Sequence, residues 1–285
     1  MTGLRIPNQP SLFRGRVLVW FSCGAASACA AKIILQQYPD AEILYCDTSK
    51  YEHPDNARFI LDCERWYGKP IVRLKSAKYE DIYDVFDKTG WLVGPGGARC
   101  TTELKRNVRE KYQQIGDVHV FGMTAEETKR IARFEEDNPE LYLLWPLRDA
   151  GIDKQECLNM LMRAGIEIPE MYKLGFKTNN CRVCVKGKKG YWNRVRVYFP
   201  DDFNQMARQE RKMGVHINDV YLDELPPDAG NYNSELEIEC GPACSIEQEQ
   251  VSKQKDSVYR LSKTERTYKR KLLYSISRNK VRKNS

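Results

Sequence analysis

The feature that most constrains this chain is an alternation of short β-forming apolar runs with helical stretches. Arg16-Val-Leu-Val-Trp-Phe21 reads as a buried strand. Ser22-Cys-Gly-Ala-Ala-Ser27 follows, then an Ala-rich segment to Gln37 that reads as a helix. Glu42 to Asp47 is a second strand. A helix is expected from about Pro54 to Tyr67, with Phe59, Ile60, Cys63 and Tyr67 at helical spacing and Gly68 as its stop. Pro70–Leu74, Val118–Gly122 and Leu141–Trp145 read as further strands. Thr124 to Asp137 reads as a helix, and Asp153 caps another that runs to about Ala164. Strands alternating with helices predict an α/β fold: a parallel sheet of about five strands with helices on both faces, plus a smaller Cys-containing C-terminal part. Ligands of such sheets bind outside the carboxyl ends of the strands. Ser22, Asp47, Gly122 and Pro146 lie at such ends and are expected to share one cleft.

The pattern breaks after Pro169, where cysteines, Trp192 and a helical stretch from Phe203 to Met213 suggest a subdomain. The expected organisation is an N-terminal extension over 1–15, a nucleotide-binding α/β domain over 16–168, a Cys-containing subdomain over 169–250 and a basic tail over 251–285. Of the 285 residues, 41% are hydrophobic and 30% charged, values of a soluble globular protein. No apolar run is long enough to span a bilayer, and the N-terminus has no signal-peptide core, so no membrane partner is expected and the expected compartment is the cytoplasm. The net charge of +7 is a local effect. Residues 253–285 hold twelve Lys/Arg and two Asp/Glu, which leaves 34 against 37, or −3, for the rest. The tail interleaves Tyr259, Tyr268 and Tyr274 with basic residues, which suits RNA or DNA phosphates with some stacking, and equally a solvated or disordered end.

A strand, a small-residue turn and a helix make an anion site. Gly24 lets the backbone approach a phosphate, Cys23, Ala25 and Ala26 are small, and the helix N-terminus offers unsatisfied N–H groups. Ser22 and Ser27 add hydroxyl donors. No Gly-Lys-Ser/Thr follows, so this is not a Walker loop, and the glycines of a dinucleotide fingerprint are missing. Strand-turn-helix packing alone also produces such a turn. The second strand ends at Cys46-Asp47-Thr48, where Asp47 and Thr48 are placed to meet a ribose or a metal.

Ser-x-Gly-x-x-Ser after strand one, with Asp-Thr after strand two, resembles the PP-loop adenine nucleotide alpha hydrolase superfamily, and specifically its phosphoadenosine phosphosulfate (PAPS) reductase group. Gly122-Met-Thr-Ala-Glu-Glu-Thr-Lys-Arg130 resembles that group's Gly-x-x-x-x-Glu loop with a basic residue after it. The likeness covers roughly Arg16 to Pro146, more loosely to about Pro227. It implies an adenine nucleotide, ATP or PAPS/APS, with Ser22 to Ser27 on phosphate, Asp47 on ribose or metal, and Glu126 and Arg130 closing over the nucleotide. PP-loop ATP pyrophosphatases show Ser-Gly-Gly-x-Asp-Ser. Here Cys23 replaces a glycine and Ala26 the aspartate, which removes one Mg²⁺ partner. Sulfonucleotide reductases also lack that aspartate. A nucleotide binder without turnover would fit the same change.

Ten cysteines in an intracellular chain are thiols or ligands rather than disulfides. Cys181-Arg-Val-Cys184 and Cys240-Gly-Pro-Ala-Cys244 are two close pairs, and together they predict one four-thiolate site for zinc or a 4Fe-4S cluster. Cys100 opens a helix beside Arg99, Lys105 and Arg106, a setting that lowers a thiol pKa. APS-type reductases hold their cluster with a Cys-Cys pair in this region and a later C-x₂-C. Likeness to them therefore implies Cys100, Cys181 and Cys184 with Cys240 or Cys244 as an alternative set. Glu239-Cys240-Gly241 resembles the PAPS reductase segment with a nucleophilic cysteine, which implies a catalytic Cys240 and a thioredoxin-like reductant. Cys23, Cys29, Cys46, Cys63 and Cys157 read as core filler. Lys129, Arg130 and Arg133 are either phosphate ligands or a solvated helix face, and His53 stands close enough to Asp47 to serve the cleft. The expected function is an adenine-nucleotide-dependent enzyme of sulfur or nucleotidyl chemistry. A thioredoxin-dependent PAPS reductase and a non-catalytic binder are the alternatives, and a homodimer is the assembly considered.

Overall fold

The computed structural model describes residues 15–94, 97–235 and 240. The basic tail, Cys244 and most of the N-terminal extension lie outside the described residues. Five strands form one sheet in the order β3-β2-β1-β4-β5, and every neighbouring pair is parallel. In chain order the elements open with β1 (Val17–Phe21), α1 (Ala25–Gln37), β2 (Glu42–Cys46), α2 (Asn56–Tyr67) and β3 (Ile71–Leu74). Then come α3 (Ile82–Thr89), α4 (Arg99–Thr101), a π-helical turn (Thr102–Arg106) and α5 (Asn107–Tyr112). The sheet closes with β4 (Val118–Phe121), α6 (Thr128–Asp137) and β5 (Tyr142–Leu144). Beyond it lie α7 (Pro146–Asp149), α8 (Lys154–Arg163), α9 (Glu170–Lys173), α10 (Lys189–Tyr198) and α11 (Pro200–Met213). The α/β fold with a five-stranded parallel sheet and helices on both faces is therefore present.

The strands read as unbroken apolar runs because both faces are covered. Val19 and Phe21 of β1 join a core with Ile43, Tyr45, Ala28 and Ile34 of α1, Phe59 of α2 and Leu161 of α8. Leu18 and Trp20 face the other way, with Leu44, Val108 of α5, Ile131 and Phe134 of α6, and Trp145. Helix α1 is wrapped on most sides, which is why it is built of Ala, Ser and Cys, and Cys29 Sγ reaches the Cys157 carbonyl at 3.3 Å. Cys23, Cys29, Cys46, Cys63 and Cys157 are all buried thiols.

A third core draws on residues from both sides of Pro169. Met171, Phe176, Val183, Trp192, Phe203 and Leu222 pack with Tyr79, Val85, Phe86, Leu92 and Leu104, so residues 79–104 share a core with those beyond 169. Some boundaries also move. Helix α6 starts at Thr128 rather than Thr124, because Thr124 to Glu127 form a turn closed by Glu127 N–H on the Thr124 carbonyl. Helices α3 and α10 were not anticipated. Asp81 caps α3 by accepting from the N–H groups of Tyr83 and Asp84. Among the described residues no helix is long and apolar enough to cross a membrane.

Strand β4 buries His119, whose ring stacks with Trp20 and Phe121. Its Nδ1 accepts from Trp20 Nε1 at 2.9 Å, so the ring is neutral with its proton on Nε2. Burial, helped by the Arg109 charge, lowers its pKa from 6.5 to about 4. Between those values the unfolded chain takes a proton that the folded chain refuses. The stabilisation is complete above about pH 6.5 and is lost as pH falls towards 4, in total about 2–4 kcal/mol. Urea midpoints at pH 7.5 and 4.5 should therefore differ widely in the native protein and much less in His119→Gln. An equal pH slope in the two proteins would assign it to other groups.

Candidate functional site

The strand order reverses between β1 and β4, so the chain leaves their carboxyl ends in different directions and opens a crevice there. The turn after β1 lies at this point. Cys23 is the one described non-glycine residue with positive φ, at 60°. Gly24 has an extended φ of −109° and serves as N-cap without a side-chain cap. The left-handed backbone of the turn thus falls on Cys23, and a Cβ added at Gly24 would meet the Tyr172 hydroxyl at 3.4 Å, an ordinary contact.

The serine hydroxyls hold the turn together. Ser27 Oγ donates to the Gly24 carbonyl at 3.0 Å and accepts from Ser22 N–H at 3.0 Å and Ser22 Oγ at 3.1 Å. Both were expected to donate to phosphate, but here their protons serve the turn. Ala25 N–H reaches the Tyr172 hydroxyl at 3.4 Å. Helix geometry leaves the N–H groups of Ala26 and Ser27 without intrahelical acceptors, and the first turn of α1 carries no carboxylate. This end of a 13-residue helix favours an anion electrostatically.

Gly122 closes the turn from below. A Cβ there would sit 2.4 Å from Ser27 Cα and 2.5 Å from Ser27 N, so the end of β4 touches the α1 backbone directly. Its role is close packing. The following loop differs in detail from expectation. Glu126 is exposed, and Glu127 takes the inward position: its carboxylate accepts from Thr124 N–H at 2.8 Å and pairs with Arg130.

At the end of β2, Asp47 Oδ1 accepts from Ser49 N–H at 3.0 Å and Oδ2 lies 3.4 Å from Lys75 Nζ. Burial acts to raise the Asp47 pKa, but the Ser49 hydrogen bonds and Lys75 outweigh it and hold the carboxylate below its ordinary range. Thr48 turns inward, its Oγ1 donating to Glu52 at 2.6 Å. Glu52, buried, also accepts from Tyr45 Oη at 2.6 Å and Asn56 Nδ2 at 2.8 Å. His53 stacks edge-on with Phe199, and its Nδ1 accepts from Asp55 N–H.

The cysteines gather beside this network. Cys181 Sγ lies 3.9 Å from Thr48 Oγ1, and Cys240 Sγ lies 3.1 Å from Thr101 Oγ1. Cys100 and Cys184 have Cys240 as an electrostatic neighbour. Burial first, then that neighbour, pushes each of them up to about 12. Lys105, buried, stands among them and donates from Nζ to the Cys240 carbonyl at 2.8 Å. Desolvation lowers its pKa, but Cys240, Cys181, Glu52 and Cys46 outweigh it and raise the value above that of an ordinary lysine. Cys240 is lowered: desolvation opposes this, while Lys105, Lys186 and the Thr101 hydrogen bond bring it about.

Cys100, Cys181, Cys184 and Cys240 are electrostatic neighbours, and cysteine sulfur is a soft metal ligand. Among the described residues, no three His, Cys, Asp or Glu side chains converge at single-ion spacing. Tyr191 braces the C-x₂-C turn: its hydroxyl donates to the Cys181 carbonyl at 2.8 Å and accepts from Cys184 N–H at 3.3 Å. The residues that sequence reasoning missed are Glu52, Asn56, Tyr172, Asn179 and Tyr191. The only signal was position, since Asn179-Asn180 leads into Cys181 and Glu52 follows the Asp47-Thr48 strand end. No protein-family model matches the chain, and no curated protein matches it.

The two glycines make a contrasting pair. Gly122→Ala drives a methyl into the α1 backbone and should cost about 1–3 kcal/mol by urea unfolding. Gly24→Ala meets only ordinary contacts and should change stability by less than about 1 kcal/mol. Equal effects would contradict the close approach of β4 to Ser27.

Proposed function

We propose that this protein is an adenine-nucleotide-dependent enzyme of sulfur or nucleotidyl-transfer chemistry, similar to the PAPS reductases, with a cysteine-held metal or iron–sulfur group beside the nucleotide. One juxtaposition carries the reading: the anion-favouring turn after β1 lies at the switch point of the sheet, and just past the carboxyl end of β2 Cys181 lies against Thr48 and, with Cys240, neighbours the buried Lys105. In this reading the N–H groups of Ala26 and Ser27 take phosphate oxygens, and the α1 dipole favours their charge. The Tyr172 hydroxyl borders the turn and limits its depth. Lys105 and Lys186 oppose negative charge that builds up near the cysteines. Cys100, Cys181, Cys184 and Cys240 would hold the metal group, which when bound supplies either electrons or a Lewis acid. Free thiols at this density belong in a reducing compartment, the cytoplasm.

The lowered Cys240 supports a second reading, in which its thiolate is the nucleophile. In that case the Cys240 thiolate attacks the sulfur of a bound sulfonucleotide, the S–O bond to the nucleotide phosphate breaks and the nucleotide leaves; a thioredoxin-like dithiol then attacks Cys240 Sγ, sulfite departs, and the reductant's second thiol closes its own disulfide and frees the cysteine.

Anaerobic purification with iron, sulfide and zinc analysis, paired with ATP calorimetry, separates the two. The first reading expects ATP binding and about one metal group per chain that Cys184→Ser loses. ATP binding with no metal favours the second. Iodoacetamide should then label Cys240 ahead of the other cysteines, with a pH midpoint that rises in Lys105→Met. Failure to bind either ATP or an adenosine phosphosulfate would remove both readings.

A further inference from the structure

We propose that Asn179 is a positioning residue that couples occupancy of the nucleotide turn to occupancy of the cysteine site. The proposal rests on the reading of those two sites given above. The left-handed backbone of Cys23 is unfavourable for a residue with a side chain, so its neighbours must hold it. They do so at both ends of the residue. The Cys23 side chain is buried, with Sγ 3.9 Å from the Asn56 carbonyl, and its own carbonyl accepts from Asn179 Nδ2 at 2.6 Å.

The orientation of that amide is dictated by a chain of bonds. Glu52 accepts from Asn56 Nδ2, so Asn56 must turn its Oδ1 towards Asn179, which donates to it at 2.8 Å. Both N–H protons of Asn179 are therefore committed, one to Cys23 and one to Asn56. Among the described residues its Oδ1 is buried without a partner. An amide placed only to fill the core would satisfy its oxygen as well. This one is held in place by what it donates.

Two residues later the same segment reaches the cysteines. Cys181 Sγ lies against Thr48 Oγ1, Arg182 N–H donates to the Tyr51 carbonyl at 2.8 Å, and Tyr191 ties Cys181 to Cys184. Asn179 to Cys184 is thus pinned at one end to the nucleotide turn and at the other to the cysteine site. A group that fixes Cys181 and Cys184 also fixes Asn179. Asn179 in turn keeps Cys23 in the conformer that presents the Ala26 and Ser27 N–H groups. By linkage, nucleotide binding strengthens retention of the group to the same degree.

The test compares ATP affinity by calorimetry for protein reconstituted with iron and sulfide, for protein loaded with zinc, and for chelator-stripped protein. ATP should bind at least about fivefold more tightly to one of the loaded forms than to the stripped form. In Asn179→Ala the ratio should fall to about one. Asn179→Asp keeps the shape but loses both donors, and it should do the same; thermal melting identifies which variant folds. A ratio of one in the native protein, or an unchanged ratio in both variants, overturns the coupling and leaves the two sites standing. No ATP binding in any form, or no loading, overturns the reading of the sites and the proposal with it.

Discussion

Lys105 carries an ammonium group out of water, and much around it follows from that. A buried cation is tolerated only when anions or strong acceptors surround it. Here the neighbours are Cys240, Cys181, Cys46 and Glu52, with the Cys240 carbonyl in direct contact. The lysine and the thiols are mutually dependent, since thiols alone would stay protonated in such surroundings. Cys100 and Cys184 behave that way, while Cys240, whose carbonyl touches the ammonium and which Lys105, Lys186 and Thr101 favour as thiolate, does not. The lysine is delivered by a π-helical turn, a rare wide coil that tends to occur at functional positions.

The second organising group is Glu52. Three hydroxyl and amide donors converge on its carboxylate from β2, the following turn and the start of α2. These fix the rotamers of Thr48 and Asn56, and through them the positions of Cys181 and Asn179. A buried polar network of this kind is stiff, because any rearrangement leaves a further buried group unpaired.

The sheet was legible because its strands are short apolar runs set between helical spacings, a pattern that survives without tertiary knowledge. Asp153 and Gly68 marked helix ends for the same reason: capping is local chemistry. Helix α3 carries equally local signs, an Asp81 cap and a Gly90 stop. The site was less legible. Ser22-Cys-Gly-Ala-Ala-Ser27 announced a turn, but not that Cys23 would take the left-handed backbone or that Gly122 would abut Ser27. Those facts belong to contacts between segments about a hundred residues apart. Asn179 was illegible for the same reason, since its partners Cys23 and Asn56 lie 156 and 123 residues away.

The third core has a consequence for how the molecule comes into being. Its walls are laid down in two instalments, Tyr79 to Leu104 early and Met171 to Leu225 late. The Thr101–Cys240 contact spans 139 residues of chain. A ribosome that has released β1 to β5 has therefore produced a sheet whose α3–α4 flank still shows its apolar side to the solvent. During that interval Cys100 waits unpaired on an unfinished surface. A chain stalled before Leu225 would be a target for chaperones and proteases, while one that reaches Cys240 can close the Thr101–Cys240 contact.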